Sequence, residues 1–295
     1  MFRLFGLLKI IFLFLGKIIA YIQKYFKTFV LLLIILAIFY PKAENPNSST
    51  NLARLNLYGV ISNSNLLLSQ IDKLKKEKNI KGVLLVVNSP GGAVAPSVEI
   101  ALAIKELNKI KPVVAYASGT MASGSYYSSI YSKEIIANPG ALVGSIGVIF
   151  EGTNISGLLA KLGVKSQVLK KGTYKEAGTN KRAWNVQEKQ ELNKILKNTY
   201  KMFTNDVAKA RGLNIKNVNN FANAHIFTAK GALKVGLIDK VGNITLAQNE
   251  LLKFTNIKYP KWQKENKANT FFDKISQKIS SKIALAFTSS LTSIF

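Results

Sequence analysis

Hydrophobic positions fall into three regimes along the chain. Residues 28–40, TFVLLLIILAIFY, form an unbroken apolar run bounded by Lys27 on one side and Pro41-Lys42 on the other. Such a run is shorter than the roughly 20 residues that a bilayer-crossing helix needs. Tyr25 and Phe26, with snorkelling by Lys24, Lys27 and Lys42, extend it into range. The pattern therefore predicts a transmembrane anchor over 28–42. Before it, Lys9, Lys17, Lys24 and Lys27 gather on one face at helical periodicity, with Arg3 close by and Leu, Ile and Phe elsewhere. Residues 1–27 thus read as a basic amphipathic helix lying in the membrane interface. A cleaved signal peptide is the alternative, but its basic lead would be unusually long and no small-x-small site follows the run. The basic residues ahead of the run place the N-terminus in the cytoplasm and the remainder of the chain on the extracytoplasmic side of the cytoplasmic (inner) membrane, single-pass.

The second regime begins after a polar linker, residues 43–51, AENPNSSTN. LARLNLYGVI (52–61) reads as a strand, 64–78 as a helix, and GVLLVVN (82–88) as a strand buried on both faces. Residues 94–108 read as a helix and PVVAYA (112–117) as a strand, after which MASGSYYSSIYS begins a helix. IIAN (135–138), a Pro-Gly turn and VGSIGVIF (143–150) follow, then strand-like VKSQVLKKG (164–172). Asn185, with Glu188 three residues on, forms a capping box for a long helix to about Ala210, and Gly212 lies just past its end. Residues 228–242 read as a helix followed by a short strand. Strands alternating with helices predict an α/β domain over 52–260 with a mostly parallel sheet. The third regime is the tail, 261–295, where Ile275, Ile279, Ile283, Phe287, Leu291 and Phe295 recur at every fourth position as an amphipathic helix.

Composition sharpens this picture mainly by exclusion. The absence of cysteine removes disulfides, thiolate metal sites and a cysteine nucleophile, and a single histidine, His225, removes a multi-histidine metal centre. The net charge of +26 comes from scattered lysines, without an arginine cluster or basic-aromatic strip. It reads as a compositional bias of the proteome, with some help in contacting anionic lipid, over a specific nucleic-acid site, and no nucleic-acid partner is expected.

Candidate chemistry concentrates at two glycine-bearing corners. NSPGG, Asn88–Gly92, directly follows the buried strand, where α/β sheets bind ligands. Its glycines let backbone N–H groups face a bound group, which suits an oxyanion hole. SGTMASGSYY presents Ser123 at a helix entrance, flanked by Ala122 and Gly124, so its neighbour's N–H is placed to complete such a hole. Ser125, Ser128 and Ser129 fall farther along that helix. His225 has no orienting carboxylate beside it and reads as a structural or surface residue. A lysine of lowered pKa is the remaining class of base, but spacing alone does not single one out.

In order, NSPGG, MASGSYY, GSIGV, KKGTYKEAG and ALKVGLIDKVG resemble the signal peptide peptidase A family in its short bacterial form, over roughly residues 52–250. The resemblance implies a Clp protease/crotonase-like fold of repeated strand-strand-helix units. It makes Ser123 the nucleophile of a Ser-Lys dyad, Lys175 the general base, and Ser145 a residue that orients that lysine. It implies oxyanion donors on Gly92 and Gly124, a homo-oligomeric ring facing the membrane, and remnant signal peptides as substrates, with no cofactor. Ser125 departs from the family, which commonly has glycine there, and is expected to alter a wall of the site slightly. A dyad lysine supplied across a subunit interface would be buried as a neutral base requires. The rival readings are a Ser-Lys peptidase cutting the apolar segment of one membrane protein, a crotonase-type acyl-CoA enzyme, and a non-catalytic membrane scaffold. Acyl-CoA chemistry belongs in the cytoplasm, whereas the anchor points the domain outward. Intact Ser123 and Lys175 oppose the scaffold.

Overall fold

The computed structural model describes residues 16–17, 19–39 and 50–263, in two units divided between Ser48 and Ser49. Most of the basic N-terminal segment, residues 40–42 of the predicted anchor, residues 43–49 of the linker and the tail from residue 264 lie outside the described residues. In the first unit, helix α1 (Phe26–Phe39) is apolar apart from Lys27 and Thr28 in its first turn, and Leu31, Leu33 and Leu36 are exposed. Its 14 residues span about 21 Å. No described helix is long and apolar enough to cross a membrane.

The second unit is an α/β fold built on a parallel sheet. Strands β1 (Leu52–Ile61), β2 (Gly82–Gly92), β3 (Val113–Ala122) and β4 (Glu134–Ala137) lie side by side, with the short β7 (Lys240–Val241) beyond β4. All these pairings are parallel. Parallel neighbours need crossovers, and helices α2 (Asn65–Lys76) and α3 (Val94–Ile110) supply the first two. The continuous apolar run in β2 is buried on both faces. Val83, Leu85 and Val87 join Ile71, Leu74, Ile100 and Ile104 on one side. Leu84 and Val86 join Ala247 and Leu251 of α9 (Ile244–Thr255) on the other.

Strand β3 is the pivot. Its first half pairs with β4, and its last three residues pair with β5 (Leu142–Gly144), which in turn pairs antiparallel with β6 (Ile226–Thr228). Both β2 and β3 run farther than the hydrophobic pattern predicts, carrying NSPGG and TMA inside strands. This brings the two glycine corners together at the carboxyl edge of the sheet.

The predicted strand over 164–172 does not form. Residues 162–171 carry no helix or strand beyond a turn at the start, and Val164, Val168 and Leu169 are exposed. A strand needs a partner, and β3 is already flanked by β2 on one side and by β4 and β5 on the other. The long helix α6 (Val186–Arg211) follows its sequence signals closely. Asn185 and Glu188 form the capping box, and Gly212 closes the helix in the left-handed conformation. Four further described helices are short: α4 (Gly124–Ser129), α5 (Ser156–Lys161), α7 (Val218–Phe221) and α8 (Ala229–Lys234). The domain also includes residues 261–263, which bond back to Asn51 and Leu52.

Candidate active site

Ser123 sits between the end of β3 and the start of α4, with φ 53° and ψ −124°. A non-glycine residue rarely holds that conformation, which costs on the order of 1–3 kcal/mol and persists only where the surroundings fix it. Here they do. The Ser123 N–H donates to Gly144 O at 2.8 Å, and Ser123 O accepts from Tyr127 N–H at 3.0 Å. The strand in front and the helical turn behind thereby pin the residue, and its side chain is half-buried.

The corner after β2 packs against this turn through its main chain. A Cβ on Gly91 would lie 2.6 Å from Gly124 N and 2.8 Å from Ser123 Cβ, and Gly91 has φ +99°. Only glycine fits both constraints. Gly92 and Gly124 both line the cleft beside Ser123, and a Cβ on Gly124 would sit 3.3 Å from Gly92 N. Gly124 opens α4, where the first N–H groups have no intrahelical acceptor. Two backbone amides are thus neighbours at the serine.

Ser125 ties the two corners together. It is fully buried, its hydroxyl reaching Ser89 O at 2.7 Å and Ala122 O at 2.9 Å, while Ala122 N–H donates to it at 2.9 Å. The sequence suggested a slightly altered wall; the side chain instead clamps the loop of one strand to the end of the next. Ser128 and Ser129 bond back to Gly124 O and Ser125 O within α4.

Ser145 follows β5 directly. The register pairs Ala122 with Gly144, so Ser123 and Ser145 are the residues that directly follow two paired strand ends. Ser145 too has positive φ, 50°. Its N–H donates to His225 O at 2.7 Å, and Ala224 N–H donates to Ile146 O at 2.9 Å. The segment behind holds two consecutive left-handed residues, Asn223 (φ 57°) and Ala224 (φ 56°), and Tyr200 Oη accepts from Asn223 N–H at 3.0 Å. His225 therefore acts on this region through its carbonyl, while its side chain is exposed. Nothing in the sequence pattern signalled that turn.

A narrow cleft opens at Ser123. Val94 and Val98 of α3, Tyr127 of α4, Val148, and Thr199, Met202 and Phe203 of α6 form its largely apolar walls. Tyr127 and Phe203 meet edge-to-face at 4.9 Å between centroids, and Tyr127 Oη donates to Asp206. Burial, then the Asp206 carboxylate, pushes the Tyr127 phenol well above its ordinary range, so it stays protonated as a donor. The caps and length of α6 were legible in the sequence, but which of its turns walls the cleft was not.

Lys175 is placed elsewhere. It is exposed, in a turn where its N–H donates to Gly172 O at 3.3 Å, and it is not among the residues lining the cleft. The structure thus brings together Ser123, Ser145, Gly92 and Gly124, and leaves Lys175 outside that group within one chain. Among the described residues, no group of acidic side chains and histidine is placed to hold a metal ion.

Comparison with known proteins meets this geometry. The peptidase family S49 model matches residues 105–258. A Methanocaldococcus jannaschii protein named as a putative protease is 40% identical over 190 residues, covering 64% of this chain and 61% of its own. An Enterococcus faecium protein named "Putative signal peptide peptidase SppA" is 36% identical, with 71% of this chain and 65% of its own covered. The chain therefore spans less than two thirds of either relative's length. A Synechocystis relative, also named as a putative protease, is 36% identical, with 65% of this chain and 69% of its own covered. Among solved structures, a membrane-bound stomatin-specific protease shares the fold at a TM-score of 0.50 and 17% identity, over 74% of this chain and 99% of that one. With the family model spanning both glycine-serine turns after β3 and the long helix α6, the chain belongs to peptidase family S49.

Proposed function

We propose that this protein is a membrane-associated serine endopeptidase in which Ser123 attacks and Lys175 of a neighbouring copy removes its proton. The observation that carries the reading is the split just described. Ser123 is fixed in strained geometry at the head of an apolar cleft, and Lys175 stands away from it on an exposed turn. Large apolar side chains are exposed through the same part of the chain, among them Ile149, Phe150, Leu158 and Leu162. A second copy packed on that face would cover them and bury the lysine. Burial disfavours the ammonium form and supplies the neutral amine that a base requires.

In this reading each group has one role. Ser123 Oγ adds to the scissile carbonyl as its proton passes to the Lys175 amine. The N–H groups of Gly92 and Gly124 receive the oxyanion. Lys175 returns the proton to the leaving amine, and the same amine later activates the water that releases the acyl group. Ser145, one strand position across from Ser123, holds the amine by its hydroxyl. Apolar cleft walls favour apolar substrate side chains. Together with the apolar α1 and its basic approach, this supports membrane-bound peptides, remnant signal peptides foremost, as the substrate class, with the peptidase unit on the extracytoplasmic side.

Mixing inactive variants tests the shared site. Ser123→Ala and Lys175→Ala should each lower cleavage of a synthetic signal peptide by several orders of magnitude. Co-assembled in equal amounts, they should recover activity at about a quarter of the sites by random pairing around a closed ring. No recovery from verified mixed oligomers would place both residues in one chain. A fully active Lys175→Ala variant would end the dyad. For orientation, protease added to intact spheroplasts should digest the chain after residue 43.

A further inference from the structure

The turn that carries Lys175 has no regular secondary structure, yet it is densely tied. Glu176, the next residue, is held by Arg182, whose Nη2 donates to Glu176 Oε2 at 2.6 Å. The same guanidinium grips Glu188, Nη2 to Oε1 at 2.7 Å and Nη1 to Oε2 at 2.9 Å. Lys170 adds a bond to Glu176 Oε2 at 3.2 Å. Glu188 is not a chance partner. Its side chain is 1% exposed, and it accepts from Asn185 N–H at 2.9 Å as the capping-box residue of α6. Around this centre, Trp184 Nε1 donates to Thr179 O at 2.7 Å, and the Trp184 ring meets Phe150 at a tilt, 5.7 Å between centroids. One-sided surface ion pairs contribute little, but a bidentate arginine fork shared by two carboxylates fixes geometry.

We propose that Arg182 is a positioning residue for Lys175: it locks the lysine-bearing turn onto the first turn of the helix whose later residues, Thr199, Met202 and Phe203, wall the Ser123 cleft. This rests on the reading of Lys175 as the base. The lock gives a long flexible side chain a fixed starting point on a loop that the sheet does not support. It also sets the distance at which each copy presents Lys175 relative to its own cleft, so that both ends of α6 serve neighbouring sites. Charge alone does not suffice, because only the planar fork reaches Glu176 and Glu188 together.

The test is a set of pH–rate profiles on the full-length protein in detergent, with a synthetic signal peptide as substrate. Glu176→Gln is the cleanest variant, since it weakens the link to the turn and leaves the Arg182–Glu188 cap in place. Arg182→Lys and Arg182→Met complete the series, and thermal unfolding checks the fold of each. A released Lys175 spends more time in water, where its ammonium is well solvated. Glu176→Gln should therefore lower kcat about 10- to 100-fold with little change in KM. Its alkaline activation limb should move upward by about one pH unit. Arg182→Met should exceed that effect and Arg182→Lys fall between. A purely structural lock would lower the amplitude, or the melting temperature, without moving the limb, and that outcome overturns the proposal. So does a wild-type profile for Glu176→Gln beside an inactive Lys175→Ala, which would leave the dyad reading standing. An active Lys175→Ala variant overturns both.

Discussion

The serine corner and the lysine turn are built by opposite means. At the corner, every constraint is main-chain or a short buried hydroxyl: paired strands, two glycines in contact with their neighbours, and Ser125 bonded across the gap. At the turn, side-chain charge replaces the sheet, with Glu176, Arg182 and Glu188 holding exposed backbone. The proposed nucleophile needs an invariant attack angle, and a parallel sheet edge supplies one. A base proposed to serve a neighbouring copy must stand on the surface, where only local bonds and the partner can hold it. The two halves should therefore fail differently, the corner to added volume and the turn to lost charge.

Added volume gives the largest contrast. Gly91→Ala places a methyl 2.6 Å from Gly124 N and 2.8 Å from Ala122 O, at φ +99°. Overpacking and backbone strain together should destabilise the domain by about 2–4 kcal/mol. Displacement of the Gly92 and Gly124 amides should lower kcat about 100- to 1,000-fold, the range for a lost oxyanion donor. On the segment leading to the lysine, Gly157 lies within α5 with nothing within 4 Å of its added Cβ. Gly157→Ala should be neutral or stabilise by up to about 1 kcal/mol. Equal tolerance of the two substitutions, in peptidase assays and denaturant titrations, would dissolve the distinction.

Acid should act on the other half. The Arg182 guanidinium, then the Asn185 N–H, hold the Glu188 carboxyl down to about 2 from an ordinary 4.5. Arg182 and Lys170 lower Glu176 as well. A folded-state pKa below the unfolded value means that these carboxylates stabilise the fold above about 4.5. That contribution is lost as pH falls from there toward 2. Amide hydrogen exchange, corrected for intrinsic rates, should show residues 172–190 losing protection across this window, while 113–129 keep theirs. Loss of protection at the corner first would reverse the assignment of constraints.

A smaller effect separates Ser123, the proposed nucleophile, from the serine two residues later. Ser125→Ala leaves Ser89 O and the Ala122 N–H without their buried partner. The expected cost is about 1–3 kcal/mol in urea unfolding, for groups that water does not reach. Turnover should retain most of its wild-type value, because Ser123 is still pinned by Gly144 and Tyr127. A loss of activity matching Ser123→Ala, at unchanged stability, would make Ser125 the reacting serine.

What the sequence made legible tracks these two modes of construction. Strand β1 was readable to the residue from its alternation, β2 from its continuous run, and α6 from Asn185, Glu188 and Gly212, because each signal is local. Ser123 stood out for the same reason, between Ala122 and Gly124 at a helix start. The apolar residues of 164–172 suggested a strand, but alternation records only that a face wants cover, and this chain supplies none. Strand β6 and helix α9 went unread, the first being three residues long. The hold of residues 222–225 on Ser145 joins segments far apart in sequence through main-chain bonds, which no side-chain pattern encodes. Lys175 could be singled out only by family resemblance, since its surroundings are a loop.

The smallest effect concerns that hold. Ala224 has φ 56°, where a Cβ crowds its own backbone, at a cost of about 1–2 kcal/mol relative to glycine. Its neighbour Asn223 suits the same conformation better, because its short amide tolerates the left-handed region. Ala224→Gly removes the local crowding but frees the unfolded chain, which returns about 0.4–1 kcal/mol of the gain. It also removes a methyl that faces Gly147, a wall residue of the cleft. The balance should be a stabilisation of about 0.5–1 kcal/mol. Peptidase activity should stay within about two-fold, since the His225 carbonyl still receives the Ser145 N–H. Ala224→Val should do the reverse, as a branched side chain is far less tolerant of positive φ. It should destabilise the turn and slow cleavage by displacing Ser145. If Ala224→Gly destabilises instead, the methyl contact with Gly147 outweighs the strain. The serine corner would then be supported by side-chain packing as well as by its main chain.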